Sequence, residues 1–191
     1  MFVKMMFAAL LAVTAENLLF SGGLGFSRAL RAARRPASAG VYALFVTFFS
    51  LCSALAGNWL APRLSGSPWV LYPAALTAAA GVFYLAAAGL LRALAAGFYD
   101  RHARILAQAA ANTVVLAVPF VQRMLRFSLA ETVGYALGTG AAFFLAVLVL
   151  EEAMRVCSNP DMPRAFLGLP GVLVYVGILS MAFAGFFGKV F

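Results

Sequence analysis

The 191-residue chain is 64% hydrophobic and only 10% charged, and its mean hydropathy is +0.97. Soluble domains have an apolar share of roughly 45 to 50%, so this composition excludes a soluble globular protein and predicts an integral membrane protein. The net charge of +8 comes from basic residues placed between apolar runs, which indicates membrane topology and argues against nucleic-acid binding.

Six apolar runs have the length of about 17 to 25 residues that a helix needs to cross a bilayer. They predict an all-α polytopic protein that forms one membrane domain over residues 1–191. The six predicted transmembrane helices are Met5–Phe26, Gly40–Leu60, Trp69–Leu91, Ile105–Val121, Leu129–Leu150 and Leu167–Gly188. Short polar connectors are expected between them, among them Arg28–Pro36 and Arg92–Arg104.

The first run is unusual because Glu16, Asn17 and a group of glycines lie inside it. An ionised Glu near the bilayer centre costs roughly 2.5 to 3.5 kcal/mol, so its presence must be compensated. Glu16 could bind a cation or carry a proton, and Asn17 could hydrogen-bond to unwound backbone. Alternatively, both side chains form interhelical hydrogen bonds, with Glu16 protonated in place.

A shift of the sequence by 95 positions aligns the first three predicted helices with the last three. It superimposes identical residues in four pairs: Asn17 with Asn112, Arg28 with Arg123, Leu30 with Leu125 and Arg31 with Arg126. Because three crossings is an odd number, residues 1–96 and 97–191 would form inverted repeats. Such repeats build midplane sites from interrupted helices, here at Ser21–Gly25 and Asn112–Pro119. The alternative is that the glycines permit close packing and Pro119 only kinks helix four.

The basic residues also predict orientation through the positive-inside rule. Loops one-two, three-four and five-six carry nine Lys and Arg residues, whereas the opposite side, including Lys189, carries five. Both termini are therefore expected on the outer side. The basic loops could in addition bind anionic lipid or a soluble partner.

Other polar and small residues predict structural roles. Glu151 and Glu152 are expected to reach Arg155 on a solvated surface, and the isolated His102 cannot form a metal site by itself. A small-x-x-x-small pattern predicts close helix packing by three glycines: Gly134, Gly138 and Gly140. The sequence contains no nucleophile–base set, phosphate-binding loop or C-x-x-C pair, so we predict no catalytic residue and no metal site.

Several of these residues form a pattern that resembles a known family. The first half contains E-N-x-x-x-S-x-x-L-G, beginning at Glu16, and Asn112 lies in the fourth predicted helix. The C-terminal third adds three further matches: Asp161–Pro163, Gly168–Leu169 and Ser180–Gly188. The pattern resembles the six-helix membrane subunits shared by the Rnf electron-transport complex and the sodium-pumping NADH:quinone oxidoreductase (Nqr), most closely Rnf A and its counterpart Nqr E.

The resemblance implies that helices one and four are broken near the midplane and that each break provides one cysteine. A partner subunit of the same fold provides two more, and the four thiolates hold a [2Fe-2S] cluster, as such clusters require. The aligned positions in this chain are Ser27 and Thr113. Neither hydroxyl is a thiolate, and Cys52 and Cys157 lie on other segments. No cofactor is therefore expected, unless the mechanism survives the loss of these ligands. Cys52 is expected to be an inert buried thiol.

The first hypothesis is a subunit of an ion-translocating electron-transport complex in the bacterial inner membrane. It would be at most a non-catalytic subunit of a redox-driven ion translocase, with the lipid bilayer and other Rnf- or Nqr-type membrane subunits, or a same-fold partner, as its partners. A second hypothesis is a stand-alone transporter of a small cation or solute. Its midplane site would combine five residues: Glu16, Asn17, Ser27, Asn112 and Thr113. A third is a purely structural membrane protein.

Overall fold

The chain folds into helices joined by short turns in a computed structural model that describes residues 1–66, 68, 70–159 and 162–186. No strand occurs in these ranges, which confirms the predicted all-α class. Two single-turn 3-10 helices, Pro36–Ser38 and Arg164–Phe166, accompany the α-helices. The α-helices are α1 (Phe2–Val13), α2 (Phe26–Ala33), α3 (Ala39–Arg63), α4 (Leu71–Leu94), α5 (Ala96–Ala110), α6 (Thr113–Met124), α7 (Leu129–Val156) and α8 (Leu169–Phe186).

Four helical segments of the described chain are long and apolar enough to cross a membrane. They are α3, α4, α7 and the stretch Ala96–Met124, which joins α5 and α6. The apolar helices α1 and α8 are shorter. The outer surface of α4 illustrates the lipid-facing character, since Val82 is 63% exposed and Leu85 is 69% exposed. Large apolar side chains exposed along whole helices are expected for a membrane protein and not for a soluble one.

The long helix α7 lies at the centre of the packing and contacts α1, α2, α3, α6 and α8. The predicted role of its glycines is confirmed. A Cβ atom at Gly134 or Gly138 would collide with the backbone of α1, and one at Gly140 would collide with the side chain of Thr47 on α3. Gly134 and Gly138 therefore let α1 approach α7 at backbone distance, and Gly140 makes room for the Thr47 side chain, as small residues do in membrane proteins.

The helices form two groups, each of which packs around one long helix. In the first set, α1, α2 and α8 all lie against α7. In the second set, α5, α6 and α4 all lie against α3. Each of the two long helices α3 and α7 is thus surrounded by three elements, and α3 and α7 also pack on each other.

The first predicted helix, Met5–Phe26, is not continuous. Helix α1 ends at Val13, and turns occupy residues 14–25, a longer interruption than the expected Ser21–Gly25. The turns contain Gly23 and Gly25 at φ values of +65° and +72°, which glycine adopts without strain. The interruption is longer because Asn17 already turns the chain at the start of it.

Two predicted connectors are wrong because they are helical. Within Arg28–Pro36, the chain forms α2, which buries its alanines and leaves Arg31 exposed on the opposite face. Within Arg92–Arg104, α4 continues to Leu94 and α5 begins at Ala96, so that only one residue separates the two helices. Alanine, leucine and arginine are all strong helix formers, so the arginines do not interrupt the helices in these segments.

Smaller expectations have mixed outcomes. Arg155 and Glu152 form the expected exposed ion pair, with Arg155 Nε 2.9 Å from Glu152 Oε2. Cys52 is half-buried and not buried as expected, because it lies on a less covered face of α3, whereas Cys157 is buried. Four predicted features fall outside the described residues: Trp69, Asp161, Phe187–Gly188 and Lys189.

Candidate functional site

The first helix break is organised by the side chain of Asn17, which is 2% exposed. Its Nδ2 donates to the carbonyl oxygen of Val13 at 3.0 Å, which closes the end of α1. Its Oδ1 accepts from the backbone N–H groups of Leu19 and Phe20, at 3.1 and 3.2 Å. Since a break exposes backbone groups that have no helical partner, Asn17 supplies the partners that water would supply in a soluble protein.

The second helix break is organised by Asn112, which is fully buried. Helix α5 ends at Ala110, and Asn112 adopts an extended backbone conformation with φ −79° and ψ 132°. Its Oδ1 accepts from the backbone N–H of Val114 at 3.2 Å, so that it caps α6. Asn17 and Asn112, which the shift of 95 positions aligns, therefore perform the same local task in the two halves.

The two breaks touch each other at Gly25. The backbone N–H of Gly25 donates to Thr113 Oγ1 at 2.8 Å. A Cβ atom at Gly25 would lie 2.5 Å from Val114 Cγ2 and 2.7 Å from Asn112 Oδ1, which is closer than any real Cβ contact. We call Gly25, Asn112, Thr113 and Val114 the break junction. Glycine is required at this position both by the close approach and by the positive φ.

The two positions that align with the family's cluster cysteines lie at the break junction or next to it. Thr113 is its hydrogen-bond acceptor, and Ser27 lies two residues after Gly25 in the first turn of α2. Both residues are exposed in this chain. The segments that carry Ser27 and Thr113 are therefore in contact, as the resemblance implies for the two breaks.

Glu16 is half-buried, whereas Asn17 and Asn112 are buried. Its backbone carbonyl accepts a hydrogen bond from Tyr135 Oη of α7 at 3.0 Å. Tyr135 is fully buried, and it also packs against Phe127 with ring centroids 5.5 Å apart. Sequence reasoning missed Tyr135, because a tyrosine in an apolar helix carries no signal of what its hydroxyl will bond to.

Little space remains between the two asparagine-capped segments. A cavity of about 10 Å³ is lined by Asn17, Val114 and Thr139, together with apolar neighbours. One water molecule needs roughly 10 to 15 Å³ by this kind of measure, so the cavity is too small for an organic solute. Asn17, Asn112 Oδ1 and Thr113 Oγ1 hydrogen-bond to backbone groups of the interrupted helices.

The cysteine and histidine side chains are far from forming a ligand set. Cys52 lies in the middle of α3, Cys157 follows the end of α7, and both are free thiols. His102 Nδ1 lies 3.1 Å from the carbonyl oxygen of Phe98 in its own helix. Among the described residues, no group of three or more His, Cys, Asp and Glu side chains could hold a metal ion.

Comparison with known proteins finds curated relatives, although no family model matches the chain. The A subunit of the proton-translocating ferredoxin:NAD(+) oxidoreductase complex of Clostridium ljungdahlii is 28% identical over 101 residues, which cover 53% of this chain and 52% of the relative. The A subunit of the ion-translocating oxidoreductase complex is 41% identical over 80 residues in Glaesserella parasuis and 32% identical over 79 residues in Buchnera aphidicola.

These last two matches each cover 41% of both chains. The chain therefore matches about half the length, or slightly less, of these curated relatives. The predicted family is confirmed over that part: the chain is similar to the A subunits of Rnf-type ion-translocating oxidoreductase complexes.

Proposed function

We propose that this chain is a non-catalytic membrane subunit of an Rnf-type ion-translocating oxidoreductase complex. The observation that carries the proposal is the break junction, where the Gly25 N–H···Thr113 Oγ1 hydrogen bond joins two interrupted helices. The relatives that share the sequence pattern are named as A subunits of such complexes. The chain thus retains the contact between the two interrupted helices that the family resemblance implies.

We infer further that the chain consists of two inverted three-helix repeats. Adding 95 to the bounds of α1, α3 and α4 gives 97–108, 134–158 and 166–189, which overlap α5, α7 and α8. The packing shows the same correspondence: α1 packs against α7, and α5, the counterpart of α1, packs against α3, the counterpart of α7. The element that departs is α2, whose shifted bounds 121–128 overlap only the end of α6. This agreement supports six crossings, in which α1 with α2, and α5 with α6, each form one interrupted span near the midplane.

We propose that the chain holds no [2Fe-2S] cluster of its own. Such clusters are held by four Cys thiolates or by two Cys and two His. The two positions that align with the family's cysteines offer only the hydroxyls of Ser27 and Thr113, and the Thr113 oxygen already accepts the N–H of Gly25. These residues do not fit the cluster, because it requires thiolate ligands where this chain has hydroxyls.

Iron and acid-labile sulfide analysis of the purified chain tests this proposal, both alone and with any partner that copurifies. We expect no stoichiometric iron and no [2Fe-2S] absorption. The double variant Ser27→Cys/Thr113→Cys provides a matched control, because it restores the missing thiols at the same junction. Stoichiometric iron and sulfide in the unmodified chain would show that hydroxyl ligands suffice and would overturn the proposal.

Purification from native membranes in a mild detergent tests the assignment to a complex. We expect other Rnf- or Nqr-type membrane subunits, or a membrane protein of the same fold, to copurify in fixed ratio. The variant Gly25→Ala, which disturbs the break junction, should weaken that association relative to Gly23→Ala, whose added Cβ meets nothing within 4 Å. Isolation of the chain only as a free protein would argue against membership of a complex.

We propose that the chain resides in the bacterial inner membrane with both termini on the outer side. The exposed Arg31 of α2 and the exposed Arg34 and Arg35 that follow it support this orientation through the positive-inside rule. Cysteine labelling in intact cells tests it. In a background without native cysteines, Arg35→Cys should react only after the membrane is permeabilised, and Ser65→Cys should react from outside. Both residues are exposed, so the reverse pattern would contradict the orientation.

A further inference from the structure

The C-terminal end of α2 carries a group of exposed arginines, which we call the arginine patch: Arg31, Arg34 and Arg35. Arg31 lies in the last turn of α2, and the other two follow the end of the helix at Ala33. Like charges within one helical turn repel each other. The positive-inside rule asks for an excess of basic residues in a connector, but it does not require three of them within five residues. The arginine patch therefore needs a further explanation.

No acidic residue neutralises the arginine patch. The sequence contains no Asp or Glu between Glu16 and Asp100, so the segments that surround the patch provide no carboxylate. Helix α7, on which α2 packs, has Glu151 and Glu152 near its end. Glu152 is bonded to Arg155, and within the described ranges no ion pair reaches the patch. The patch thus keeps its full positive charge.

The guanidinium groups of the arginine patch are also unused as donors. They form no hydrogen bond, ion pair or ring contact with any residue that the structure describes. Other exposed arginines do use theirs within the protein, since Arg63 lies 3.7 Å from the ring centroid of Trp59 and Arg123 lies 4.9 Å from that of Tyr72. Each guanidinium has five N–H donors in a planar fork, which matches the oxygens of a phosphate group.

The arginine patch lies where the chain enters the membrane. Arg35 is four residues before Ala39, the first residue of the membrane-spanning helix α3, and a single-turn 3-10 helix joins them. The exposed face of α3 that follows is apolar, since Leu44 is 66% exposed and Phe48 is 45% exposed. A Cβ atom added to the exposed Gly40 would meet nothing within 4 Å, so the start of this face is open. A lipid on this face has its headgroup at the level of the patch.

We propose that the arginine patch binds the headgroup of an anionic glycerophospholipid, whose acyl chains lie along the exposed face of α3. Guanidinium groups bind phosphate oxygens with two parallel hydrogen bonds. A zwitterionic headgroup would bring its own ammonium group towards three uncompensated positive charges, so a headgroup with a net negative charge fits better. An acidic soluble partner would use the arginines alone, whereas a lipid also covers the apolar surface that follows them. This inference goes beyond the proposed function and does not depend on the identity of the complex.

Lipid titration of the purified full-length chain, followed by native mass spectrometry, tests the proposal. The delipidated protein in a non-ionic detergent is titrated with phosphatidylglycerol or with phosphatidylcholine that has the same acyl chains, and the Kd of the first bound lipid is measured. We expect phosphatidylglycerol to bind at least about tenfold more tightly, because each basic residue near an anionic headgroup contributes a preference of about fivefold. The variant Arg31→Gln/Arg35→Gln should remove most of this preference.

The second half of the chain provides a matched control. Arg123→Gln/Arg126→Gln removes the same charge at the positions that the shift of 95 residues aligns with Arg28 and Arg31. This variant should keep the preference for phosphatidylglycerol within about twofold. Equal losses in the two double variants would mean that only the net charge matters, and they would overturn the proposal. Equal affinity of the unmodified chain for the two lipids would overturn it as well.

Two further measurements keep the test decisive. If Arg31→Gln/Arg35→Gln lowers the melting temperature in detergent, Arg34→Gln/Arg35→Gln replaces it, because both of these residues lie beyond the end of α2. Glycerol 3-phosphate, which has the phosphate but no acyl chains, is added at the concentration of the bound phosphatidylglycerol. We expect it to displace little of the lipid. Complete displacement would mean that a soluble anion is the ligand and would overturn the assignment to a lipid.

Discussion

Replacement of Gly25 by alanine is the sharpest test of the break junction. Gly25 has a φ of +72°, and a residue with a Cβ atom pays roughly 1 to 2 kcal/mol in this left-handed region. The new Cβ would also lie 2.5 Å from Val114 Cγ2 and 2.7 Å from Asn112 Oδ1. Overpacking of this kind costs about 1 to 3 kcal/mol, so Gly25→Ala should lower the free energy of unfolding by about 2 to 5 kcal/mol.

The same chain offers a control that separates strain from contact. Gly23 has nearly the same backbone conformation, with a φ of +65°, but a Cβ there would meet nothing within 4 Å. Gly23→Ala should therefore show only the backbone cost of roughly 1 to 2 kcal/mol. The difference between the two variants measures the contact between the first break and the second.

The assay is an equilibrium unfolding titration in mixed micelles, in which the share of denaturing detergent is raised and helicity is followed by circular dichroism. The variants should keep the same cooperativity, with the midpoint shifted further for Gly25→Ala than for Gly23→Ala. Equal midpoints would refute the reasoning, because they would mean that the two breaks do not touch at Gly25.

Three further variants are read by the same titration. Thr113→Val removes the acceptor of the Gly25 N–H and should cost about 1 to 3 kcal/mol, whereas Thr113→Ser should restore most of the loss; equal effects would show that the hydroxyl is not used. Asn112→Ala removes the cap of α6 and should cost about 0.5 to 2 kcal/mol, and a neutral result would mean that Val114 finds another acceptor. Gly138→Ala forces α1 away from α7 and should cost about 1 to 3 kcal/mol. Its control Gly81→Ala, in open space on α4, should be neutral or stabilising by about 0.4 to 1 kcal/mol, and the reverse order would contradict the packing.

The sequence was most informative where a polar residue lies inside an apolar run. Asn17 and Asn112 marked both interruptions, because each amide bonds to backbone groups that the interrupted helix leaves without partners. The glycines of α7 were equally informative, since small residues at helical spacing indicate close packing. The asparagine signals are local, because each amide acts on backbone groups within a few residues of its own position.

The errors came from assigning charged stretches to loops. Arg28–Ala33 is helical because Ala29, Ala32 and Ala33 repeat at helical spacing and form a buried face. That period was present in the sequence and could have been found. The contact between Gly25 and Thr113 could not, because it joins positions 88 residues apart that the repeat does not align.

The packing of α1 on α7 has a consequence for biosynthesis. The backbone of α1 near Met5 lies against Gly134, so the two contact surfaces are separated by roughly 130 residues, which ribosomes need about 10 s to make. Among the described helices, α1 packs mainly against α7, so during that interval it lacks its main native neighbour. A ribosome that stalls before α7 would release a chain whose first helix can pair only with foreign segments, and membrane quality control would meet it in that state.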